Sequence, residues 1–353
     1  MSRFIPRPTR ARRLIAATTI IGALATGCSN EPAPVAQPVT TTSAQPRVVT
    51  EPETTTTSTS TTTTVAPPPP SVTVSLLGSI RSLPTSGEPG STSDDDDGDD
   101  VNDDDRRAPA LDTDDATVAS LACTSSTGCE PTDLAAWAAN TIDAVNLATN
   151  AAAIDGAEVL DEHASALLAS GVATIGYGPT IGDALEPAIV GTAERPVAVY
   201  AISLAENIDT ELIATETTPG IAAGEGAFDL LIEQVRQSQD AGQETVVMMD
   251  FGRLDGRAPE PLELEQVQVV VDAGVDAIIG HGSDFLHRFE RIAQTTVAFS
   301  LGNAITNTEI PLRQDTAVFR FTVAENGSTA CLLPATASSS GISIDDPDTV
   351  DCP

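Results

Sequence analysis

The side chains in this chain best suited to chemistry are one histidine, two aspartates and two asparagines, each set beside an apolar run. Gly280-His281-Gly282-Ser283-Asp284 follows directly on Ala277–Ile279, and Asp250 closes Thr245–Met249. Asn150 and Asn303 stand after Leu147 and Leu301. Carboxylates and an amide oxygen are what a hard cation takes, so Asp250 and Asp284 with Asn150 could hold a single Mg²⁺ or Ca²⁺ ion. His281 adds an imidazole able to bind a metal or a phosphate. The plain alternatives are two solvated loop acids and a hydrogen-bonded turn histidine. Ser300 to Asn303 forms a turn that could shape a ligand cleft, or Gly302 simply serves a tight turn.

Other chemistries fall away. The five cysteines show no zinc spacing. Ser79 has no base near it in sequence. Asp250-Phe251-Gly252 spells a kinase metal motif without the glycine loop or catalytic loop that would accompany it. The other two histidines, His163 and His287, lie outside the apolar strand ends. The formal net charge is −34, and all 17 basic residues are arginine. Such a surface repels phosphate backbones, so no nucleic-acid partner is expected.

The residues named above need strands to hold them, and the sequence supplies a β and α alternation. Val72 opens the folded part with VTVSLLGSI. Strands are expected at 117–122, 144–147, 172–175, 197–202, 245–249, 277–279, 297–299 and 316–323. Helices are expected at 131–140, 157–169, 227–241 and 263–273, with Asp133 in a first turn and Gly171 and Gly242 past two ends. This order indicates an α/β domain whose strands are covered on both faces. No apolar run after Cys28 is long enough to span a bilayer.

Residues 1–27 read as an export signal: five arginines, then a short apolar run from Leu14 to Ala25. Ala25-Thr26-Gly27-Cys28 resembles a lipobox, with Cys28 as the lipidated residue. Arg12-Arg13 leaves the export route, Sec or Tat, open. Residues 28–71 form a Thr/Pro/Ser-rich tether, too poor in apolar side chains to fold. An acidic insertion at 82–115 reads as a self-repelling surface segment; Asp95, Asp97, Gly98 and Asp104 also fit part of a calcium loop. The other four cysteines allow three disulfide pairings, of which Cys123–Cys129 and Cys331–Cys352 are favoured.

Five motifs resemble those of CapA-type poly-γ-glutamate capsule synthesis domains, a branch of the calcineurin-like metallophosphatases. The family's strand ending in Gly-Asp reads Leu77-Gly78-Ser79 here, and its Asn-Leu-Glu strand reads Asp115 to Ala122. Its Leu-Ala-Asn-Asn-His reads Leu147 to Ala151. Its His-Trp-Gly reads Asp250-Phe251-Gly252, and its Gly-His-His-Pro-His reads Gly280 to Asp284. The closing Tyr-Ser-Leu-Gly-Asn is nearly intact as Phe299 to Asn303. The resemblance spans about Val72 to Pro334.

The resemblance implies a four-layer α/β/β/α metallophosphatase-like sandwich over 72–335, preceded by a disordered tether and followed by a tail at 336–353. It implies a two-metal site whose ligand positions here are Ser79, Ala122, Ala151, Asp250, Gly282 and Asp284. Serine, alanine and glycine cannot replace carboxylate or imidazole ligands. The expectation is a cell-surface lipoprotein, lipid-anchored through Cys28 to the outer face of the membrane. It would bind or scaffold capsule or envelope polymer without catalysis, and with no cofactor, or at most one divalent cation. The alternative is a hydrolase or transferase with a reduced metal site.

Overall fold

The computed structural model describes residues 71–83, 111, 114–139, 141–253 and 255–345. The signal segment, the tether, Cys28, Cys352 and nearly all of the acidic insertion lie outside the described residues.

Alternating apolar residues at Val72, Val74 and Leu76 begin strand β1 (Val72–Ile80). There follow β2 (Ala116–Leu121), α1 (Pro131–Ala138), β3 (Ala144–Asn146), α2 (Ala157–Ala169), β4 (Ala173–Ile175), β5 (Tyr177–Gly178), α3 (Ile181–Ala184), β6 (Ala188–Thr192) and β7 (Arg195–Ser203). The chain continues through β8 (Gly220–Ile221), α4 (Gly224–Asp240), β9 (Glu244–Asp250), α5 (Pro261–Asp272), β10 (Ala277–His281), β11 (Phe289–Ile292) and β12 (Thr295–Ala298). It closes with β13 (Asn303–Ile305), β14 (Asp315–Ala324), β15 (Gly327–Ala337) and β16 (Ile342–Ile344).

Two sheets carry the domain. The first runs β16-β15-β14-β1-β2-β3-β4, with β13 also paired to β1, and the second runs β11-β12-β10-β9-β7-β6. The inner faces meet: Val74, Leu76 and Val118 of the first sheet pack with Val199, Val246, Met248 and Ile279 of the second. The outer face of the first sheet is covered by α1 and α2 through Leu134, Leu160 and Leu167. That of the second is covered by α4 and α5 through Leu231, Val235, Val267 and Val270. This is the expected α/β/β/α layering. A one-residue slip of β1 would turn Val74 and Leu76 off the inner face, at about 1.5–3 kcal/mol for each side chain exposed, so the register is held.

Helix ends follow from local chemistry. Pro131 and Pro261 sit at the first turn of their helices, where a missing N–H costs nothing. Glu260 and Glu263 cap α5 reciprocally, and Arg253 bridges both, at 2.7 and 2.9 Å. This fixes the loop after β9.

The expected strands and helices are present with ends shifted by a few residues. Residues 177–178, 188–192, 220–221, 289–292, 303–305, 327–337 and 342–344 are strands the sequence pattern did not single out. The tail's beginning continues the sheet, since Ala335–Ala337 pairs with Ile342–Ile344. Cys123 and Cys129 form a disulfide with Cα atoms 5.9 Å apart. Cys331 is disulfide-bonded as well. At the near end of the insertion, Asp114 ion-pairs with Arg320 at 3.0 Å. Among the described residues, no helix is long and apolar enough to cross a membrane.

Candidate functional site

The carboxyl ends of β1 and β9, with the loops after β2, β3 and β10, meet at one edge of the two sheets. There a small pocket is lined by Ser79, Ala122, Asn150, Ala151, Asp250 and Gly282, together with Arg81, Thr149 and Gly252. Its free space is about 10 Å³, room for roughly one water. β1 bulges between Leu76 and Ser79, and β13 pairs there with Ser79 opposite Asn303. A bulge of this kind re-aims strand-end side chains.

Asp250 is the most heavily committed group. Its Oδ2 accepts from the Asn150 main-chain N–H at 2.6 Å and from the Ser203 hydroxyl at 2.9 Å, and its Oδ1 accepts from Gly252 N–H at 3.2 Å. Burial pushes its pKa up, against the pull of these donors and of Arg81. His281 lies beside it, in register on the neighbouring strand. Alternation puts His281 on the inner face with Ala277 and Ile279. Burial pushes its pKa down to about 3, so the ring is neutral. Neither ring nitrogen has a hydrogen-bond partner among the described residues.

A chain of charges closes the pocket. Arg81 Nη2 lies 2.7 Å from Asp284 Oδ1, an ion pair without hydrogen-bond alignment. Arg81 Nε donates to Asn303 Oδ1 at 3.2 Å and Nη1 to the Ala122 carbonyl at 3.3 Å. Arg313 donates to Asp284 Oδ2 at 2.9 Å and pairs with Asp255. Burial lowers the Arg81 pKa from its usual value, and the charge of Asp284 is the first influence opposing that shift. Arg257 and Arg313 both lie against the Phe285 ring, 4.4 and 5.5 Å from its centre.

Of the candidates named from sequence, Asn150 and Asp250 line the pocket, and Asp284 and Asn303 stand behind it as partners of Arg81. The plain alternatives for three of them are corrected. Asp250 and Asp284 are buried at 1% and 7% exposure rather than solvated, because strand ends and arginines enclose them. His281 belongs to a strand and has no partner among the described residues, so it is not a hydrogen-bonded turn histidine. His163, on α2, meets the Cys129 carbonyl at 3.0 Å, and His287 meets that of Gly256 at 2.8 Å. Both are structural contacts.

Arg81, Ser203, Thr149 and Arg313 were not legible as site residues. A signal existed for Arg81: it directly follows an apolar strand in a chain with few basic residues.

A two-metal centre does not fit the residues present. Four of the six matched positions, Ser79, Ala122, Ala151 and Gly282, offer only a hydroxyl, two methyls and no side chain. Among the described residues, no group of three or more His, Cys, Asp and Glu side chains gathers as a metal site. Arg81 adds a positive charge where cations would repel it. Gly282 has φ +98°, and a Cβ there would lie 2.5 Å from Asp250 Oδ1, so the backbone leaves no room for a larger ligand.

Comparison with known proteins defines the class. Residues 108–308 match the family described as bacterial capsule synthesis protein PGA_cap, and the chain belongs to that family. It is similar to the capsule biosynthesis protein CapA of Bacillus anthracis, 25% identical over 188 residues, which covers 52% of this chain and 45% of that protein. It is also similar to the PGA biosynthesis protein CapA of Bacillus subtilis (strain 168), 21% identical over 184 residues, covering 52% and 48%. The chain thus spans about half the length of these relatives. A hypothetical protein from Thermus thermophilus, solved by crystallography, aligns over 74% of this chain and 99% of its own at 12% identity, with a TM-score of 0.43.

Proposed function

We propose that this capsule-synthesis domain acts as a binding or scaffolding member of its family and does not hydrolyse phosphate esters. One observation carries the reading: at the strand-end pocket, non-ligating Ala122, Ala151 and Gly282 stand around an arginine. Without ligands to hold two cations, a bridging water keeps a pKa far above neutrality, and the main source of barrier lowering is lost. The partner is a capsule or cell-envelope polymer. The domain's own acidity means that an anionic polymer needs bridging cations to bind. Lipid on Cys28 would hold the protein to the outer face of the membrane, and Cys28→Ala should release it from the membrane fraction. The competing reading, a hydrolase or transferase with one ion, draws on Asp250 and His281 lying in register.

Metal analysis of the full chain purified without chelator, paired with a phosphodiesterase assay, tests this. Little metal and no turnover is the expected result. Two transition-metal ions per chain, with hydrolysis lost in His281→Ala, would establish the enzyme reading instead.

A further inference from the structure

Two larger hollows flank the small pocket at the strand-end edge. One, of about 570 Å³, shares Asn150 with it, and the other, of about 290 Å³, shares Gly252. The two hollows adjoin at Asn207, so they form one groove along the loops after β3, β7 and β9. Their size suits a ligand, whereas the small pocket admits roughly one water.

Three kinds of side chain line the groove. Asn150, Asn207 and Gln266 bring side-chain amides that make no hydrogen bond among the described residues. An amide carries donors and an acceptor, the complement of the N–H and C=O of a peptide backbone. Ile154 and Leu262, one in each hollow, are 67% and 51% exposed and offer apolar contact. The third kind is charged. Arg253, the one arginine lining the two hollows, is already held by Glu260 and Glu263 at 2.7 and 2.9 Å. Glu206, Asp209 and Glu211 make no ion pair among the described residues, so the groove is left negative. That excess repels an anionic chain and attracts a basic one.

We infer that this groove binds an extended peptide segment carrying lysine or arginine. The free amides take its backbone, and Glu206, Asp209 and Glu211 take its cationic side chains. The inference goes beyond the polymer-binding reading by adding a polypeptide partner, and it stands whether or not the small pocket is catalytic.

The experiment is fluorescence anisotropy of the full chain with three labelled peptides of equal length, in which alanine alternates with lysine, glutamine or glutamate. Salt at about 0.15 M screens diffuse attraction to the acidic surface. The lysine peptide should bind tightest and the glutamate peptide weakest. Glu206→Lys combined with Glu211→Lys, one change in each hollow, should weaken the lysine peptide by about ten-fold or more. Asp240→Lys combined with Asp272→Lys makes the same change in net charge at the ends of α4 and α5, which lead into β9 and β10 at the opposite edge. It should leave affinity within about two-fold. Asn207→Ala, which changes no charge, should weaken binding by about two- to ten-fold. Should the groove reversal fail to fold by circular dichroism, Glu206→Gln with Glu211→Gln replaces it, with a loss of about three-fold or more expected. Absence of lysine-peptide binding, equal losses at the two edges, or no loss in Asn207→Ala overturns the proposal. Tighter binding of the glutamate peptide also overturns it and assigns the groove to an anionic polymer instead.

Discussion

The main-chain N–H of Asn150 donates to Asp250 Oδ2 at 2.6 Å, joining a loop of the first sheet to a strand end of the second. The two residues are 100 positions apart, and the bond spans the seam on which the site is built. Ser203 and Gly252 donate to the same carboxylate, so one side chain satisfies three donors from three segments, Ser203 buried and the other two half-buried.

Removing that carboxylate should be costly. Asp250→Ala leaves Asn150 N–H, Ser203 and Gly252 N–H without their acceptor; a buried unmet group such as Ser203 costs about 1–3 kcal/mol, and the two half-buried N–H groups cost less. We expect a loss of about 3 kcal/mol or more by urea unfolding, and a smaller loss for Asp250→Asn, which keeps one oxygen. Equal, small losses in both would show that the seam does not depend on this acceptor.

Gly282 is constrained by the same group. Gly282→Ala should destabilise by about 1–3 kcal/mol, because φ +98° suits glycine and the added methyl meets Asp250 Oδ1. Gly282→His should cost at least as much, so restoring the family's residue there does not by itself rebuild a ligand. Denaturation midpoints of the two variants are the measurement.

Two groups give stability opposite dependences on pH. Glu244 is pushed up to about 7, first by burial and then by the neighbouring charge of Asp276. Its folded form keeps a proton that the unfolded chain gives up from about pH 4.5, so stability falls as pH rises from there towards 7. The effect should be under about 1 kcal/mol, since the group is only half-buried. Glu244→Gln should flatten this slope.

His281 runs the other way. Its folded pKa is pushed down to about 3 by burial, so below about pH 6.5 the unfolded chain binds a proton that the folded chain refuses. Stability should fall as pH drops towards 3, by up to about 1.4 kcal/mol per pH unit. His281→Gln should remove that acid sensitivity while leaving the Glu244 slope intact. Unfolding curves from about pH 3 to 8 for the two single variants separate the effects.

The Cys123–Cys129 disulfide closes a short loop directly after Ala122 at the pocket edge. Replacing both cysteines by alanine should cost about 2 kcal/mol, the loop-closure value for so few residues. A cost near zero by thermal unfolding would mean that the His163 contact to the Cys129 carbonyl already holds the loop.

The strands were legible because Val72–Leu76, Thr245–Met249 and Ala277–Ile279 carry apolar runs that buried strands accommodate, whereas the four-layer arrangement followed from the family resemblance and the strand order from neither. Among the strands missed, β11 and β15 were not legible because Phe289 to Ile292 and Gly327 to Ala337 mix exposed and buried positions without clean alternation. Asn150 and Asp250 could be named because they stand beside apolar strands at positions the family resemblance marks as ligands. Arg81 was missed despite following an apolar strand, because its role depends on Asp284 and Asn303, more than 200 residues away. His281 was named, but its burial without a partner is a property of the packed seam and leaves no trace in local sequence.

The positive charge beneath the strand ends belongs to Arg81 and is therefore inherited with the chain. A metal ion in that place would have to be drawn from the surroundings, and it could be lost to dilution, to a chelator or to competition from other metals. The guanidinium arrives with translation at fixed stoichiometry, so the charge that faces Asp284 is present whenever the chain has folded.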